Sequence, residues 1–257
     1  MSEKKSNRDE SLLYVQKHGY EGLDEGRKRE MHDYCEAYKS YLDAARTERE
    51  AVREAIRLAE ARGFVEYVPG MPLKPGARVY ANNRGKALML AVLGTETLDR
   101  GAVIAAAHVD SPRLDLKQLP LYEDSELCYF KTHYYGGIKK YQWLALPLAL
   151  HGTVVRRDGS VVDVVIGEDP QDPQFVITDL LPHLGADQMK KTLAEAISGE
   201  GLNLLVGSIP HGEEGSDRVK YAVLTLLHEK YGITEEDFLS AELSAVPALP
   251  TRDQGLD

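Results

Sequence analysis

Several features that would assign a protein class at once are absent from this chain of 257 residues. No window approaches the roughly 18 uninterrupted apolar residues of a membrane span, and the charged start, MSEKKSNRDESLLYVQK, lacks the apolar core of a secretion signal. The two cysteines, Cys35 and Cys128, are too few for a disulfide framework and lack the close spacing of a thiolate zinc site. We therefore expect a cytoplasmic protein without a membrane partner.

Basic residues are fewer than acidic ones: the chain has 31 Lys and Arg residues against 41 Asp and Glu, which gives a formal net charge of −10. The basic residues alternate with acids instead of forming a stripe, and the net negative charge repels a phosphate backbone. Nucleic acid is therefore not expected as a partner. A hydrophobic content of 43% predicts one large globular domain or two smaller ones.

The first sixty residues have helical patterning. Thr47-Glu48-Arg49-Glu50 has the form of a capping box, and apolar residues follow it at helical spacing up to Gly63. This pattern predicts an amphipathic helix over about 48–62. Two strands, at 78–81 and 87–93, are then predicted to be joined tightly.

Residues 102–107 are apolar at successive positions without alternation. Such a run is typical of a strand that is covered on both faces, as in the middle of an α/β sheet. It leads directly into His108-Val109-Asp110-Ser111-Pro112.

Beyond Pro112 the pattern changes to mainly antiparallel β structure. Residues 153–157 and 161–166 are predicted to form a hairpin about Asp158-Gly159. We also expect helices near 186–198 and 217–231, a short strand at 202–206, a brief helix capped by Thr234 and an alternating strand at 240–246. The predicted fold class is α/β, with an α/β portion interrupted by a mainly antiparallel β domain that has a few helices.

His108 and Asp110 are two residues apart, so on a strand end their side chains leave the same face. A histidine that binds a divalent metal through one ring nitrogen normally donates its other N–H to a carboxylate or carbonyl group. Asp110 is placed to be that carboxylate. The alternative is a histidine held by a loop carboxylate for structural reasons alone.

Four segments together resemble the aspartyl aminopeptidase family, the eighteenth family of metallopeptidases. They are AAAHVDSPRLDLK (105–117), KTHYYGGIKKYQW (131–143), IGEDP (166–170) and ITDLLPHL (177–184). The resemblance runs from about residue 30 to the end. The Tyr-Gly-Gly-Ile motif is more similar to the bacterial members of the family than to the eukaryotic ones.

This resemblance implies an aminopeptidase with two divalent metal ions, zinc being the favoured metal, that removes N-terminal residues from peptide substrates. It implies residues 1–114 as the first part of an α/β/α catalytic domain, 115–247 as an inserted oligomerisation domain, and 248–257 as the start of a return into the catalytic domain. Subunits would pair and build a homo-oligomer, a dodecamer. His108 corresponds to a metal ligand, and Asp110, among the catalytic residues, to the carboxylate that orients it.

The remaining ligand and general-base motifs of the family have no match in this chain. Glu213-Glu214 invites that assignment, but it belongs to a polar loop and is interpreted as a solvated charge run. We therefore expect the chain to be the N-terminal half of the enzyme, inactive alone. The resemblance leaves the preference for acidic or neutral N-terminal residues open.

Two further histidines, His133 and His183, lie on segments that in such oligomers could reach substrate in a neighbouring subunit, the alternative being interface or loop histidines. Two other functional hypotheses stay open. The chain could be a non-catalytic assembly or regulatory protein that retains the pairing domain, or a zinc amidohydrolase whose other ligands come from a partner chain. Extending the reading frame past Asp257 distinguishes them.

Overall fold

The computed structural model describes residues 12–212 and 214–256. It divides into two compact units, one ending at Ser40 and one beginning at Tyr41. In the first unit, a 3-10 turn, Gly19–Gly22, precedes helix α1, Glu25–Ala44, whose last residues belong to the second unit. The helical patterning expected for the first sixty residues is thus realised only from Glu25 onward, and residues 1–11 lie outside the described residues.

Helix α2, Glu48–Glu60, confirms the helix predicted over 48–62. The Thr47 side chain accepts from the Glu50 backbone N–H, and the Glu50 side chain accepts from the Thr47 N–H at 2.9 Å, so both halves of the capping box are present. Gly63 has a φ of 80°, a left-handed conformation that ends the helix at little steric cost.

A small sheet of three strands follows α2. Strand β1, Val65–Glu66, pairs in parallel with β2, Arg78–Asn83, and β2 pairs antiparallel with β3, Ala87–Val92. The tight connection is confirmed, because Arg84 and Gly85 both have positive φ, as a turn matched to the strand twist requires.

The strand predicted at 102–107 is absent. Residues 101–112 have no regular secondary structure, and Val103 and Ile104 are 105% and 84% exposed. A buried strand needs hydrogen-bonded neighbours on both edges, and none of the described strands pairs with this segment. Apolar composition alone therefore misled the prediction.

A seven-stranded antiparallel sheet forms most of the second unit, in the order β7-β6-β10-β4-β5-β9-β8. Its strands are β4 Arg113–Asp124, β5 Leu127–Tyr135, β6 Leu148–Val155, β7 Val161–Ile166, β8 Val176–Ile177, β9 Leu204–Gly207 and β10 Ala241–Pro247. The β6–β7 pair confirms the predicted hairpin, with Gly159 at a φ of 82° in its turn. The mixed helix and strand content confirms the α/β class, with an antiparallel sheet after Pro112.

The core of this unit lies between the sheet and helix α5, Arg218–Tyr231, which confirms the second predicted helix. Val219, Val223 and Leu227 recur at helical spacing and are the buried face of α5. Gly207 on β9 permits this contact, since a Cβ there would lie 2.6 Å from Val223 Cγ2. The brief helix predicted at Thr234 is a 3-10 turn, Glu235–Ser240, with its own capping box.

Gly152 allows β6 and β10 to pair closely. Its φ is 146°, and a Cβ at this position would lie 1.8 Å from the carbonyl oxygen of Glu242. No side chain fits without displacing the backbone of β10, so the sequence at this position is dictated by strand packing.

The helix predicted near 186–198 is wrong. Only the single turns α3, Lys140–Trp143, and α4, Leu193–Ala196, are helical between β5 and β9, apart from a 3-10 turn at Gly199–Gly201. Met189 and Leu193 are 68% and 70% exposed. A helix of that length depends on burying an apolar face, and these side chains have no core to pack against. No helix among the described residues is long and apolar enough to cross a membrane.

Candidate metal centre

His108 and Asp110 contact each other directly in the irregular segment before β4. Nδ1 of His108 lies 2.9 Å from the backbone oxygen of Asp110 and 3.3 Å from its carboxylate Oδ1. Both neighbours are acceptors, so Nδ1 is the nitrogen that carries the proton. The predicted contact is therefore present, although a turn of the loop produces it and not the alternation of a strand.

The carboxylate of Asp110 is also held from the sheet. The hydroxyl of Tyr135, the last residue of β5, donates a hydrogen bond of 2.7 Å to Oδ2. This bond, with smaller help from the backbone and from His108, holds the pKa of Asp110 below its usual range. In return the carboxylate raises the pKa of the Tyr135 hydroxyl. Asp110 is thus kept as an anion that faces the imidazole.

Arg113 packs against the ring of Tyr135. Its guanidinium lies 4.1 Å from the centre of the Tyr135 ring, a cation–π contact. Its Nε donates to Asp115 at 2.7 Å, and its Nη1 lies 3.1 Å from Glu48 Oε2. Burial would lower the pKa of Arg113, but the bond to Asp115 and the charge of Glu48 outweigh it and raise the pKa.

Arg113, Asp115 and Glu48 line a cleft of about 260 Å³ between the start of α2 and the large sheet. Glu242 on β10 accepts from Arg49 at 2.7 Å and lies 2.8 Å from the ammonium of Lys86. The hydrogen bond from Arg49 is the main reason why the pKa of Glu242 lies below its ordinary value. Charges of both signs are therefore paired along this cleft.

The predicted site residues are only partly brought together. Over residues 12–212 and 214–256, no group of three or more His, Cys, Asp or Glu side chains is arranged to hold a metal ion. His133 on β5 is exposed and stacks on Tyr134, with ring centroids 5.6 Å apart. His183 is exposed after Pro182. No described hydrogen bond or ion pair links either histidine to His108.

Of the two glutamates that were predicted to form a solvated charge run, Glu213-Glu214, the structure describes one. Glu214 is exposed, as expected for a solvated charge run, and Glu213 lies outside the described residues. Within the segment 134–143, Trp143 is buried, whereas Tyr134, Tyr135 and Tyr141 are 38–40% exposed.

Sequence reasoning missed two residues that the fold places at key contacts. No sequence motif assigns a role to Tyr135, and only the register that sets it opposite Arg113 reveals its contact with Asp110. His151, which received no assignment, is 2% exposed, with Nδ1 2.8 Å from Glu50 and Nε2 3.4 Å from Glu168. The only sequence signal for His151 was its position in an apolar run.

Comparison with known proteins identifies the relatives of the chain. The family model described as "Aminopeptidase I zinc metalloprotease (M18)" matches residues 41–257. The "Probable M18 family aminopeptidase 1" of Clostridium acetobutylicum is 48% identical over 252 residues, which cover 96% of this chain and 54% of that protein. The chain spans about half the length of the curated relatives it matches.

Solved structures agree with this match. The M18 aminopeptidase from Thermotoga maritima superposes with a TM-score of 0.88 at 41% identity, covering 95% of this chain and 53% of that one. Aminopeptidase I from Clostridium acetobutylicum gives a TM-score of 0.84 at 46% identity, covering 95% and 55%. The described fold is therefore that of part of these enzymes.

Proposed function

The chain belongs to the Peptidase M18 family of zinc metalloproteases, and from this premise we propose that it supplies one metal ligand and the subunit-pairing sheet of an aminopeptidase. The substrates are peptides with a free N-terminus. The single observation that carries this proposal is the contact between His108 and Asp110.

The chemistry of this pair fits a zinc-binding histidine. With the Nδ1 proton donated to Asp110, Nε2 of His108 is left as a lone-pair donor, and the side chain is 83% exposed. Asp110 fixes the tautomer and ring orientation and makes the imidazole a better ligand. Two divalent ions, when bound, polarise the scissile carbonyl group and lower the pKa of a bound water.

The same residues do not make a complete site. Hydrolysis by two metal ions needs ligands for both ions and a base that activates water, whereas the described residues hold no cluster of three ligands. We therefore propose that the other ligands lie outside this chain and that residues 1–257 have no turnover alone. The sheet that begins at Arg113 supports the proposed boundary, with 1–114 as catalytic-domain sequence and 115–247 as the inserted domain.

Self-association is the second part of the proposal. Residues 115–247 would form the subunit contact of a homo-oligomer, and His133 and His183 would reach substrate bound to a neighbouring subunit. Exposed apolar side chains support this role, and in the segment before β9 they are Leu180, Leu181, Leu184, Met189 and Leu193. Light scattering should show at least a dimer, and a monomer at high concentration would contradict it.

A non-catalytic assembly protein is the second candidate, and the absence of a three-ligand cluster among the described residues favours it. The two candidates differ in what happens when the rest of a catalytic domain is supplied. An aminopeptidase portion should then support turnover, whereas an assembly protein should pair subunits without it.

A chimaera makes this test. In it, the chain replaces the matching portion of the Clostridium acetobutylicum relative, so that the relative supplies the rest of the protein. We expect turnover of aminoacyl anilides that His108→Ala abolishes, and Asp110→Ala should lower metal affinity roughly 10–100-fold. His211→Ala, an exposed loop histidine, is the matched control. An active chimaera that is indifferent to His108→Ala would refute the assignment.

A further inference from the structure

We propose that Tyr135 is a positioning residue for His108: its hydroxyl holds Asp110 in the orientation that keeps the proton on Nδ1 and leaves Nε2 free. This inference rests on the proposed function, in which His108 is the metal ligand. In this role, the last residue of β5 holds Asp110 in place within residues 101–112, which form no strand or helix.

The segment that carries His108 and Asp110 lacks regular secondary structure. Residues 101–112 form no strand or helix, so no ladder of backbone hydrogen bonds fixes where Asp110 lies. The 2.7 Å bond from Tyr135 Oη to Oδ2 ties this residue to the large sheet. The two oxygens of Asp110 that face His108, its backbone oxygen and Oδ1, therefore depend on an anchor supplied by β5.

The side chain of Tyr135 is itself held in place by its neighbours. Tyr135 is the direct cross-strand partner of Arg113, whose guanidinium lies 4.1 Å from the Tyr135 ring centre. The side chain of Arg113 is only 11% exposed and is held by carboxylates from two other positions, Asp115 and Glu48. Asp115 in turn accepts from Ser244 on β10 at 2.7 Å. The ring of Tyr135 is thus supported by strands β4 and β10 and by helix α2.

The backbone directly after Tyr135 turns so that the end of β5 lies near Pro112. Gly136, directly after Tyr135, has a φ of 79° and passes close to Pro112, where a Cβ would lie 3.6 Å from the proline Cα. This left-handed turn lets the end of β5 run beside the end of the irregular segment. The Tyr-Gly pair therefore acts as one unit, in which the tyrosine binds Asp110 and the glycine permits the left-handed turn.

The chemical consequence lies in the tautomer of His108. A neutral imidazole carries one proton, and only the nitrogen without it can bind a metal. If Asp110 is free to turn away, the proton can occupy Nε2, the nitrogen that the proposed site needs. Tyr135 would thus set the fraction of His108 that is competent to bind metal.

The test compares Tyr135→Phe with Tyr134→Phe in the whole chain, without metal. Both variants lose one hydroxyl and keep the ring, so the stacking on Arg113 is retained in the first. Nitrogen-15 NMR at a pH where the imidazole is neutral reports which ring nitrogen of His108 carries the proton. Backbone nitrogen-15 relaxation, through its order parameters, reports how firmly residues 108–111 are held.

We expect the wild type and Tyr134→Phe to hold the proton on Nδ1. Tyr135→Phe should move a large part of the population to Nε2, and the backbone order parameters at 108–111 should fall, because the one described side-chain bond from the large sheet to Asp110 is lost. An overall loss of stability would change the melting temperature but not the tautomer of a folded molecule.

The two possible failures are distinguishable. An unchanged tautomer in Tyr135→Phe, or an equal change in Tyr134→Phe, overturns the positioning role and leaves His108 as the proposed ligand. A chimaera that retains zinc and activity after His108→Ala overturns the proposed function and, with it, the purpose assigned to Tyr135.

Discussion

Replacing Glu50 by alanine tests how α2 is fastened to the large sheet. The Glu50 carboxylate accepts from the Thr47 backbone N–H at 2.9 Å and lies 2.8 Å from Nδ1 of His151. His151 is 2% exposed, and its other ring nitrogen lies 3.4 Å from Glu168. One side chain therefore both caps a helix and pairs with a buried histidine, so the alanine variant loses both contacts.

The cost follows from these two roles. Loss of a helix N-terminal cap costs about 1 kcal/mol, and a buried polar group left without its partner costs about 1–3 kcal/mol. Because the side chains of Glu50 and His151 are 17% and 2% exposed, solvent screening reduces this cost little. We expect a loss of about 2–4 kcal/mol in the free energy of unfolding, or roughly 5–15 °C in the melting temperature for a unit of this size.

Urea unfolding followed by fluorescence is a direct assay, because the one tryptophan of the chain, Trp143, is buried in the same core. Glu50→Gln keeps a capping residue but removes the charge, so it should lose less than Glu50→Ala. Glu54→Ala, one turn further along α2, breaks only an ion pair with Arg57 and should cost less than about 1 kcal/mol. If Glu50→Ala and Glu54→Ala unfold at the same urea concentration, then Glu50 does not hold α2 to the large sheet.

Three further predictions concern the packing of two strands, a hydrogen-bonded carboxylate and the binding of zinc. Gly152→Ala should destabilise the chain by about 3 kcal/mol or more, since its Cβ would collide with the Glu242 carbonyl; an unchanged melting temperature would refute the β6–β10 packing. Burial alone would raise the pKa of Asp237, but hydrogen bonds from Thr234 and the Arg157 backbone outweigh it and lower the pKa from 3.8. The stability that a lowered carboxyl pKa contributes is present above 3.8 and lost as the pH falls through the folded value, so Asp237→Asn should flatten the decline of the urea midpoint with acid, and an equally steep decline would argue against it. Calorimetric titration of residues 1–257 with zinc should show no stoichiometric pair of ions, and aminoacyl anilides should not turn over; tight binding of two ions would mean that ligands within the chain were overlooked.

Local signals in the sequence predicted the elements whose stability is local. The capping box of Thr47 and Glu50, the tight turn at Arg84-Gly85 and the hairpin at Asp158-Gly159 each depend on a few neighbouring residues, and all three are present. The helix over 218–231 also followed from spacing, because its buried face faces a sheet that the chain itself provides.

The incorrect predictions concern segments that need partners distant in sequence. The apolar run at 102–107 has the composition of a buried strand, but no described strand pairs with it. The segment at 186–198 has apolar residues at helical spacing, yet Met189 and Leu193 remain exposed. Periodicity reports which residues could be buried and does not report whether a neighbour is available.

The candidate site shows the same division. His108 and Asp110 are close in sequence, so their contact could be predicted even though the strand that was expected to produce it is absent. Tyr135 lies 25 positions beyond Asp110, and its contact depends on the register of β4 against β5. Cross-strand register was outside what the motif could indicate.

The most direct test of the central claim is X-ray absorption at the zinc edge on the zinc-loaded chimaera, together with a crystal structure at that wavelength. We predict a zinc ion bonded to Nε2 of His108 at about 2.0–2.1 Å, with Nδ1 still facing Asp110, and loss of that ion in the His108→Ala variant. A fully occupied pair of zinc ions with no bond to His108 would contradict it.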